Sequence, residues 1–384
     1  MIVYILFWAA TLYWGFVAER KTSILIFFIA VFLFVGLRLE TGFDWPVYKE
    51  VFQVFLDGFS WQKITLVQLH YSQESGFLFL LGLLAQLIPS YEIVQSLLSL
   101  FFLYSFFKLS SAVPGSKPAL AIAIFFSFYL LSVGFSTVRQ ALSLSLFNMA
   151  LYFFLNAKRP QLVYVFLAAS VAIHLSAIAY VVTFVAARLY TVAFGKAGFV
   201  SHLSFSALLL FGFPSIFFIL VSAAPWLSSR ANYYQNISIS TNLSLFSIVF
   251  AMVLLLIGSV VSLDRKHFKI SDDKLVAIQN LIMLLSSASF ASLFFLTLRD
   301  RISYELIALF SIYVSARVSL RNFIFIFAIS ALGIYYQMSI LAPPRDLAFI
   351  PYQNSLIYFL LGLESTGEER SSKYMEIFIE ELSM

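Results

Sequence analysis

The arginines of this sequence are the residues whose type and placement point most directly to chemistry. Lysine and arginine together number 24 in 384 residues, and most lysines lie in a few short basic connectors. About half of the arginines lie in the same basic connectors. Most of the others lie in connectors that are predicted, further on, to face the opposite side of a membrane. The second group contains Arg38, Arg139, Arg230, Arg299, Arg301 and Arg345. Because a guanidinium donates two parallel hydrogen bonds and stays protonated, these arginines are predicted to bind a lipid-linked anion. The competing interpretation of each is a snorkelling anchor at a helix end.

His174, in the apolar stretch SVAIHLSAIAY, is the first candidate for a general base. A neutral imidazole within about 3 Å of a hydroxyl group can take its proton, but a histidine here could also be a hydrogen-bonded packing residue. Asp44 and Glu74 are the substitute bases. Asp44 is also placed to cap the helix after Trp45-Pro46, and Glu74 to lie at a helix N-terminus.

Two polar stretches combine arginine, tyrosine and asparagine, namely RANYYQN at 230–236 and APPRDLAFIPYQN at 342–354. Aromatic faces together with planar polar side chains suit a carbohydrate, and loops of this kind commonly carry binding residues. Tyr234 and Tyr352 are therefore predicted to contact a sugar.

The elements that must position these side chains are membrane helices. The chain is 61% hydrophobic and only 11% charged, whereas a soluble domain is about half apolar and a quarter charged. Its apolar stretches are continuous and approach the roughly 20 residues that span a bilayer. They predict an all-α polytopic membrane protein with roughly 12–14 transmembrane or re-entrant helices. Residues 1–363 are predicted to form one transmembrane domain with short periplasmic loops, and 364–384 a short charged cytoplasmic tail.

Short basic connectors predict the orientation of the helices, because such connectors stay in the cytoplasm. The basic connectors are 19–21, 158–159, 188–196, 264–274 and 317–321. The connectors then predicted to face outward are 38–75, 133–139, 223–243, 299–303 and 342–352. This arrangement requires a turn at about 172–175. It also requires that one of the two apolar stretches between residues 75 and 117 does not cross the membrane.

Composition excludes several classes of site. There is no cysteine, which excludes disulfides, thiol nucleophiles and cysteine-ligated metals, and the four histidines are isolated. Glu40 and Asp44 flank Gly42 with no histidine nearby in sequence, so we expect neither a metal nor another cofactor. The net charge of +5 is scattered among connectors, which argues against nucleic-acid binding and for positive-inside topology with anionic lipid contact.

Four short motifs follow one another between residues 36 and 177. They are Gly36-Leu37-Arg38 with Gly42, Asp44, Tyr48 and Phe52; Glu74-Ser75-Gly76-Phe77; Arg139-Gln140-Ala141; and His174-Leu175-Ser176-Ala177. In this order they resemble the EpsG-like branch of the Wzy-type polysaccharide polymerases. The C-terminal half resembles that family only in late positions such as Arg299, Arg301, Tyr304 and Tyr352. The chain departs from the family at Trp45-Pro46, where a tyrosine usually follows the aspartate.

The resemblance implies a metal-independent glycosyltransferase with a fold similar to the GT-C-like polymerases and O-antigen ligases. Such enzymes of the bacterial inner membrane transfer a growing glycan from undecaprenyl diphosphate to a lipid-linked repeat unit at the periplasmic face, making O-antigen or exopolysaccharide. On this reading the six arginines bind the diphosphate, and His174, Asp44 or Glu74 takes the proton. The resemblance also implies that four tyrosines contact the sugar or order a loop, namely Tyr48, Tyr234, Tyr304 and Tyr352. A chain-length regulator and a flippase are the implied protein partners.

Two other functions remain open from the sequence. A flippase for lipid-linked oligosaccharides would also need a polar, arginine-bearing cavity, but no internal repeat of the kind common in transporters is visible. An O-antigen ligase would share the donor, and the short outward loops favour the polymerase over it.

Overall fold

The structure is a computed structural model, and it describes most of the chain. The described residues are 2–71, 73–156, 159–195, 198–209, 245–263, 273–292, 296–316, 320–340, 345–370 and 372–373. Within these ranges there are helices and turns but no β-strand, with one isolated antiparallel bridge between Arg38 and Asn354. The prediction of an all-α polytopic membrane protein is confirmed.

The first helices run from the N-terminus to the turn at His174. They are α1 Ile2–Val17, α2 Lys21–Val35, α3 Trp45–Leu56, α4 Trp61–Tyr71, α5 Ser75–Leu87, α6 Tyr91–Ala112, α7 Pro118–Tyr129 with a π-helical continuation at Leu130–Ser136, α8 Val138–Asn156 and α9 Pro160–Ile173. The later helices are α10 Ala177–Phe194, α11 Phe199–Leu209, α12 Leu245–Leu263, α13 Asp273–Ala291, α14 Leu296–Ser315, α15 Leu320–Ile340 and α16 Ser355–Leu361, with a 3₁₀ turn at Arg345–Ala348.

Among the described helices, five are long and apolar enough to cross a membrane: Tyr91–Ala112, Pro118–Ser136, Val138–Asn156, Ala177–Phe194 and Lys274–Ala291. Seven shorter apolar helices accompany them. This mixture of full-length and half-length segments agrees with the number that the apolar stretches predict. The forced turn is confirmed as well, because α9 ends at Ile173 and α10 begins at Ala177.

The helices form two compact units, one made of Met1–Leu175 with Ser311–Met384 and the other of Ser176–Phe310. In the first unit, α1 packs on α7, α6 on α8, and α8 on α9. In the second, α13 packs against both α10 and α12. Polar side chains also join the second unit's helices: Asn280 donates to Thr191 Oγ1 at 2.9 Å, and Ser206 and Ser287 share a hydroxyl contact of 2.8 Å.

In the first unit, one group of connectors gathers around Lys117. Its ammonium lies 3.1 Å from the carboxylate of Glu19, and the hydroxyl of Ser116 lies 2.9 Å from that of Ser315. The connectors at 19–21, 113–117 and 315–316 therefore lie at the same end of this unit. Residues 317–319 lie outside the described ranges, and that 19–21 and 317–321 share a side stays a prediction.

A second group forms what we call the connector end of the first unit. Here the chain at 37–42 pairs with the chain at 348–355: Leu39 N–H donates to Gln353 O at 2.9 Å, and Gly42 N–H donates to Ala348 O at 2.9 Å. Gly42 is needed at this point because its φ is +117° and an added Cβ would overlap the carbonyl of Phe135. The connectors predicted to face outward at 38–75, 133–139 and 342–352 thus share one end.

The connector 38–75 is not a loop, because it contains α3 and α4. The sequence predicts the first of these helices but not the second. Apolar side chains of α3, α4 and α5 pack into one core with the first turns of α6 and α8 and the end of α9. Phe52, Phe55 and Phe77 are among its buried rings. This core holds the connector end together and fixes the helix termini that carry polar side chains.

Of the two helices between residues 75 and 117, α5 is the shorter. Its 13 residues extend about 20 Å, less than the roughly 30 Å of a bilayer core. Near its C-terminus, Gln86 donates to Phe55 O of α3 at 2.5 Å, while on α6 Gln95 donates to Arg38 O at 3.1 Å. The end of α5 and the start of α6 thus both contact the connector 38–75, and of these two helices α6, with 22 residues, is long and apolar enough to span a membrane.

The C-terminal segment, residues 363–373, also lies at the connector end. Lys49 is 2.7 Å from Glu368, the N–H of Gly367 donates to Glu40 at 3.1 Å, and Arg370 donates to Leu347 O at 3.1 Å. The preceding α16 has only seven residues, too few to carry the chain across a bilayer. Residues 363–373 therefore lie at the same end of the first unit as the connector 38–75.

Candidate active site

The site begins at the N-terminus of α3, where Asp44 and Tyr48 lie one helical turn apart. Asp44 occupies the N-cap position, yet its side chain makes no capping hydrogen bond, so that part of the prediction is wrong. Instead, the hydroxyl of Tyr48 donates to the Asp44 carboxylate at 3.2 Å. The Tyr48 ring is 2% exposed and packs edge-on against Phe77, with ring centroids 5.5 Å apart. Tyr48 is thereby fixed with its hydroxyl towards α8.

Arg139, in the first turn of α8, extends the site from Tyr48 to Glu74. Its Nε donates to the Tyr48 hydroxyl at 3.1 Å, and one terminal nitrogen donates to Glu74 at 2.5 Å. A cation near a helix N-terminus is opposed by the macrodipole, so this arginine depends on a nearby carboxylate. Its side chain is 20% exposed and that of Glu74 12%.

His174 meets the other oxygen of the same carboxylate. Its Nδ1 lies 3.0 Å from Glu74 Oε1, and the N–H of Leu175 donates to that oxygen at 3.4 Å. The histidine terminates α9 in an extended conformation and is 4% exposed. The two residues are 100 positions apart in sequence, which is why no partner for His174 was visible among its neighbours.

Gly76 allows the start of α5 to approach the end of α9 closely enough for Glu74 to contact His174. The start of α5 lies directly against the end of α9, and a Cβ on Gly76 would overlap the carbonyl group of Ala172. With no side chain there, Glu74 can reach His174. The sequence places Gly76 in a motif without giving it a role, and a small residue just after a charged helix start was the only available hint.

The electrostatics of the site depend on the ionised form of Glu74. Burial raises the pKa of this carboxyl group, but the hydrogen bond and charge of His174 and the charge of Arg139 outweigh it, so the pKa is well below the ordinary value. In its ionised form Glu74 accepts hydrogen bonds from Arg139 and Leu175 and faces His174. With Nδ1 directed at Glu74, the ring nitrogen that would take a proton is Nε2.

Five predicted site residues thus form one hydrogen-bonded chain: Asp44, Tyr48, Arg139, Glu74 and His174. We call it the Asp44–His174 network. Such an arrangement can hold an imidazole in one orientation and stabilise its protonated form with a carboxylate, while a fixed guanidinium supplies positive charge close by. Among the described residues, no group of three or more His, Cys, Asp or Glu is placed to hold a metal ion.

Arg38 differs from Arg139 in being enclosed. It is 2% exposed, and it donates to Phe135 O at 3.2 Å, Val35 O at 2.7 Å and Ser99 Oγ at 3.0 Å. Burial lowers the pKa of its guanidinium to about 10, so it remains protonated at neutral pH. Arg38 thereby joins the connector to the π-helical end of α7, and its predicted role in diphosphate binding stays a prediction.

Tyr352 also has a structural position. Its hydroxyl donates to Phe34 O at 2.6 Å, and its ring stacks on that of Phe34 with centroids 4.4 Å apart. Asn354 donates to the same hydroxyl at 3.1 Å. Of the two roles predicted for this tyrosine, sugar contact or loop ordering, these contacts support the second.

The remaining predicted site residues lie in the second unit or outside the described residues. In the second unit, Arg299 is 4% exposed and its Nη2 lies 2.8 Å from Asp300, while Tyr304 is buried. The carbonyl of Arg301 accepts from Tyr180 at 2.5 Å. Arg230, Tyr234 and the side chain of Arg345 lie outside the described residues. That the arginines line a single cavity stays a prediction.

Comparison with curated proteins and with solved structures finds no match. A family model does match, and it covers residues 21–354, nearly the whole chain and every member of the Asp44–His174 network. The family suggests a polysaccharide polymerase, which suits a multi-pass helical membrane protein acting on lipid-linked oligosaccharides. On the strength of this match, the chain belongs to the EpsG family.

Proposed function

We propose that this protein polymerises undecaprenyl-diphosphate-linked repeat units into O-antigen or exopolysaccharide at the periplasmic face of the bacterial inner membrane. The observation that carries the proposal is the Asp44–His174 network, in which one carboxylate connects an arginine to a histidine. These are the groups that a glycosyl transfer from a diphosphate donor needs. Its members come from the motifs that resemble the polymerases.

In the proposed reaction a hydroxyl oxygen of the acceptor sugar bonds to the anomeric carbon of the donor. The bond from that carbon to the phosphate oxygen breaks, and undecaprenyl diphosphate leaves with both electrons. His174 Nε2 takes the hydroxyl proton, and Glu74 stabilises the resulting imidazolium from Nδ1. The imidazole later returns the proton to solvent or to the diphosphate.

Arg139 is proposed to stabilise the charge that develops on the leaving diphosphate. Held by Glu74 and Tyr48, its guanidinium needs no reorganisation when the charge appears, and preorganised donors of this kind contribute much of the catalysis in acyl and phosphoryl transfer. Asp44 orders the Tyr48 hydroxyl. In this scheme Glu74 is a positioning residue and His174 and Arg139 are the catalytic ones.

The orientation belongs to the same proposal. With the basic connector at 19–21 in the cytoplasm, the connector end of the first unit faces the periplasm. Because the C-terminal segment contacts Glu40 and Lys49, we place that segment in the periplasm too, replacing the cytoplasmic tail predicted from its charge. A reporter enzyme fused after residue 384 is expected to be active in the periplasm. If it is active in the cytoplasm instead, the connector end of the first unit faces the cytoplasm and this orientation is wrong.

The function is tested by deleting the gene and separating the surface polysaccharide on a gel. A band of single repeat units with the longer ladder lost is the expected result, and the wild-type gene restores the ladder. Complete absence of surface glycan would instead indicate a flippase or a ligase. Complementation with His174→Ala, expressed at wild-type level, should leave the single-repeat band.

Metal independence is tested separately in reconstituted vesicles. We expect polymerisation to continue in the presence of EDTA, because arginine supplies the positive charge that a metal would otherwise provide. Loss of activity in chelator that a divalent ion restores would overturn the arginine mechanism while leaving the polymerase function intact.

A further inference from the structure

A groove of about 350 Å³ lies between α3 and the C-terminal segment. Its walls include Trp45, Lys49, Glu50 and Gln53 of α3, with Glu368 and Ser372 opposite them. Pockets that hold small ligands have volumes of about 300–1,000 Å³, so the groove is large enough for a sugar unit. The reaction scheme above assigns no role to these side chains.

The groove and the Asp44–His174 network use adjacent faces of the same helix. Residues four apart stack along one side of an α-helix, so Trp45, Lys49 and Gln53 form one stripe. Asp44 and Tyr48 form the neighbouring stripe. A molecule in the groove would therefore lie one helix face away from the network.

Trp45 provides an independent sign of a missing ligand. Trp45 lines the groove but is only 2% exposed, and its indole nitrogen is buried without a hydrogen-bond partner. A buried N–H left unpaired costs free energy, which a ligand hydroxyl in the groove would recover once the indole turned towards it.

The charges in the groove select against phosphate. Lys49 lies 2.7 Å from Glu368 and 3.5 Å from Glu40, so its charge is neutralised by two carboxylates. Glu50 adds a further carboxylate to the wall. Hydroxyl groups both donate and accept hydrogen bonds, so they match a wall made of carboxylates, an amide and an indole N–H. A diphosphate would be repelled by the carboxylates.

From these observations we infer that the groove binds the neutral or amino-sugar part of the repeat unit and helps to select it. The inference rests on the proposed function, because it takes the ligand to be the polymerase's own substrate.

The test measures binding to the purified full-length protein by titration calorimetry. The probe is the single repeat-unit oligosaccharide released by mild acid from the host's surface polysaccharide, with inorganic pyrophosphate as a second probe. Gln53→Ala, Glu368→Gln and Trp45→Phe, which removes the unpaired donor, should each raise the Kd for the oligosaccharide at least fivefold. None should change the Kd for pyrophosphate.

Glu369→Gln is the matched control, since Glu369 is exposed on the same segment and does not line the groove. It should bind the oligosaccharide as the wild type does. Equal Kd values in all four variants, no binding by the wild type, or displacement of the oligosaccharide by pyrophosphate would each overturn the inference. If the ladder assay shows no polymerase while binding depends on the groove, the proposed function fails and the sugar site stands.

Discussion

Two buried histidines, one in each unit, are held in different ways. His174 is 4% exposed and its Nδ1 faces the carboxylate of Glu74 at 3.0 Å. His202 is 2% exposed, and its Nδ1 lies 3.1 Å from the hydroxyl of Ser287 while Nε2 lies 3.4 Å from Leu255 O. Burial is nearly equal, so only the partners distinguish them.

The difference shows what makes a buried histidine chemically useful. A carboxylate stabilises an imidazolium, so His174 can take up a proton without leaving an unpaired charge in the interior. Hydroxyl and carbonyl partners satisfy a neutral ring but give a protonated one no countercharge. Neither histidine has an ionisable residue among its nearest neighbours in sequence, so the local sequence could not separate a base from a packing residue.

The largest expected effect comes from removing each histidine in turn. His174→Ala should lower turnover by a factor on the order of 10² to 10⁴, the usual contribution of a general base, while the folded yield stays near that of the wild type. His202→Ala, the matched control, should lower the melting temperature in detergent but leave turnover per folded molecule unchanged. Should both variants lose stability and keep turnover, His174 is only a packing residue.

A smaller effect is expected when the two helix ends are forced apart. Gly76→Ala places a Cβ against the carbonyl of Ala172 and should move Glu74 away from His174, lowering turnover about tenfold. Gly198→Ala is the control, because nothing lies within 4 Å of its added Cβ. Equal turnover in the two variants would show that the contact between Glu74 and His174 is not needed for the reaction.

The charge of Glu74 should also appear as a pH dependence of stability. Its pKa is lower in the folded protein than in the unfolded chain, so its stabilising contribution is present above the ordinary pKa of about 4.3. That contribution is lost as the pH falls from there towards the folded value. Melting temperatures from pH 7 to pH 3 should therefore fall more steeply for the wild type than for Glu74→Gln. Glu364→Gln changes an exposed carboxylate and should retain the wild-type slope.

The smallest effect is expected at Tyr48, which joins Asp44 to Arg139. Tyr48→Phe removes one hydroxyl and should cost about 0.5–1.5 kcal/mol of stability, with a reduction of turnover of only a few fold. Tyr164→Phe, at a ring that is 72% exposed, provides the baseline. A loss as large as that of His174→Ala would mean that Tyr48 acts directly on the substrate.

Much of the fold could be predicted because its causes are local. Apolar stretches define membrane helices, and the basic connectors required a turn near His174, where α9 ends. The helix α4 was missed because its sequence, WQKITLVQLHY, is mixed in polarity and lacks a clear apolar face. The contacts of residues 363–373 with Glu40 and Lys49 could not be predicted, because they join segments more than 300 residues apart in sequence.

The candidate site could be predicted in its members but not in their connections. His174, Glu74 and Arg139 stand out as polar residues at the ends of apolar stretches. Their pairing depends on which helix ends meet, and that is decided by the packing of α5 on α9 at Gly76. The acceptors that enclose Arg38, Phe135 O and Ser99 Oγ, belong to distant segments, so its contacts could not be predicted from the sequence.

The pairing of residues 37–42 with 348–355 sets an order on the protein's synthesis. Leu39 and Gly42 emerge from the ribosome early, yet the carbonyls that accept their N–H groups belong to Gln353 and Ala348, some 300 residues later. The connector that leads into Asp44 and Tyr48 therefore reaches its final backbone arrangement only when translation is almost complete. A nascent chain stopped before residue 345 would insert most of its helices and still lack a finished site.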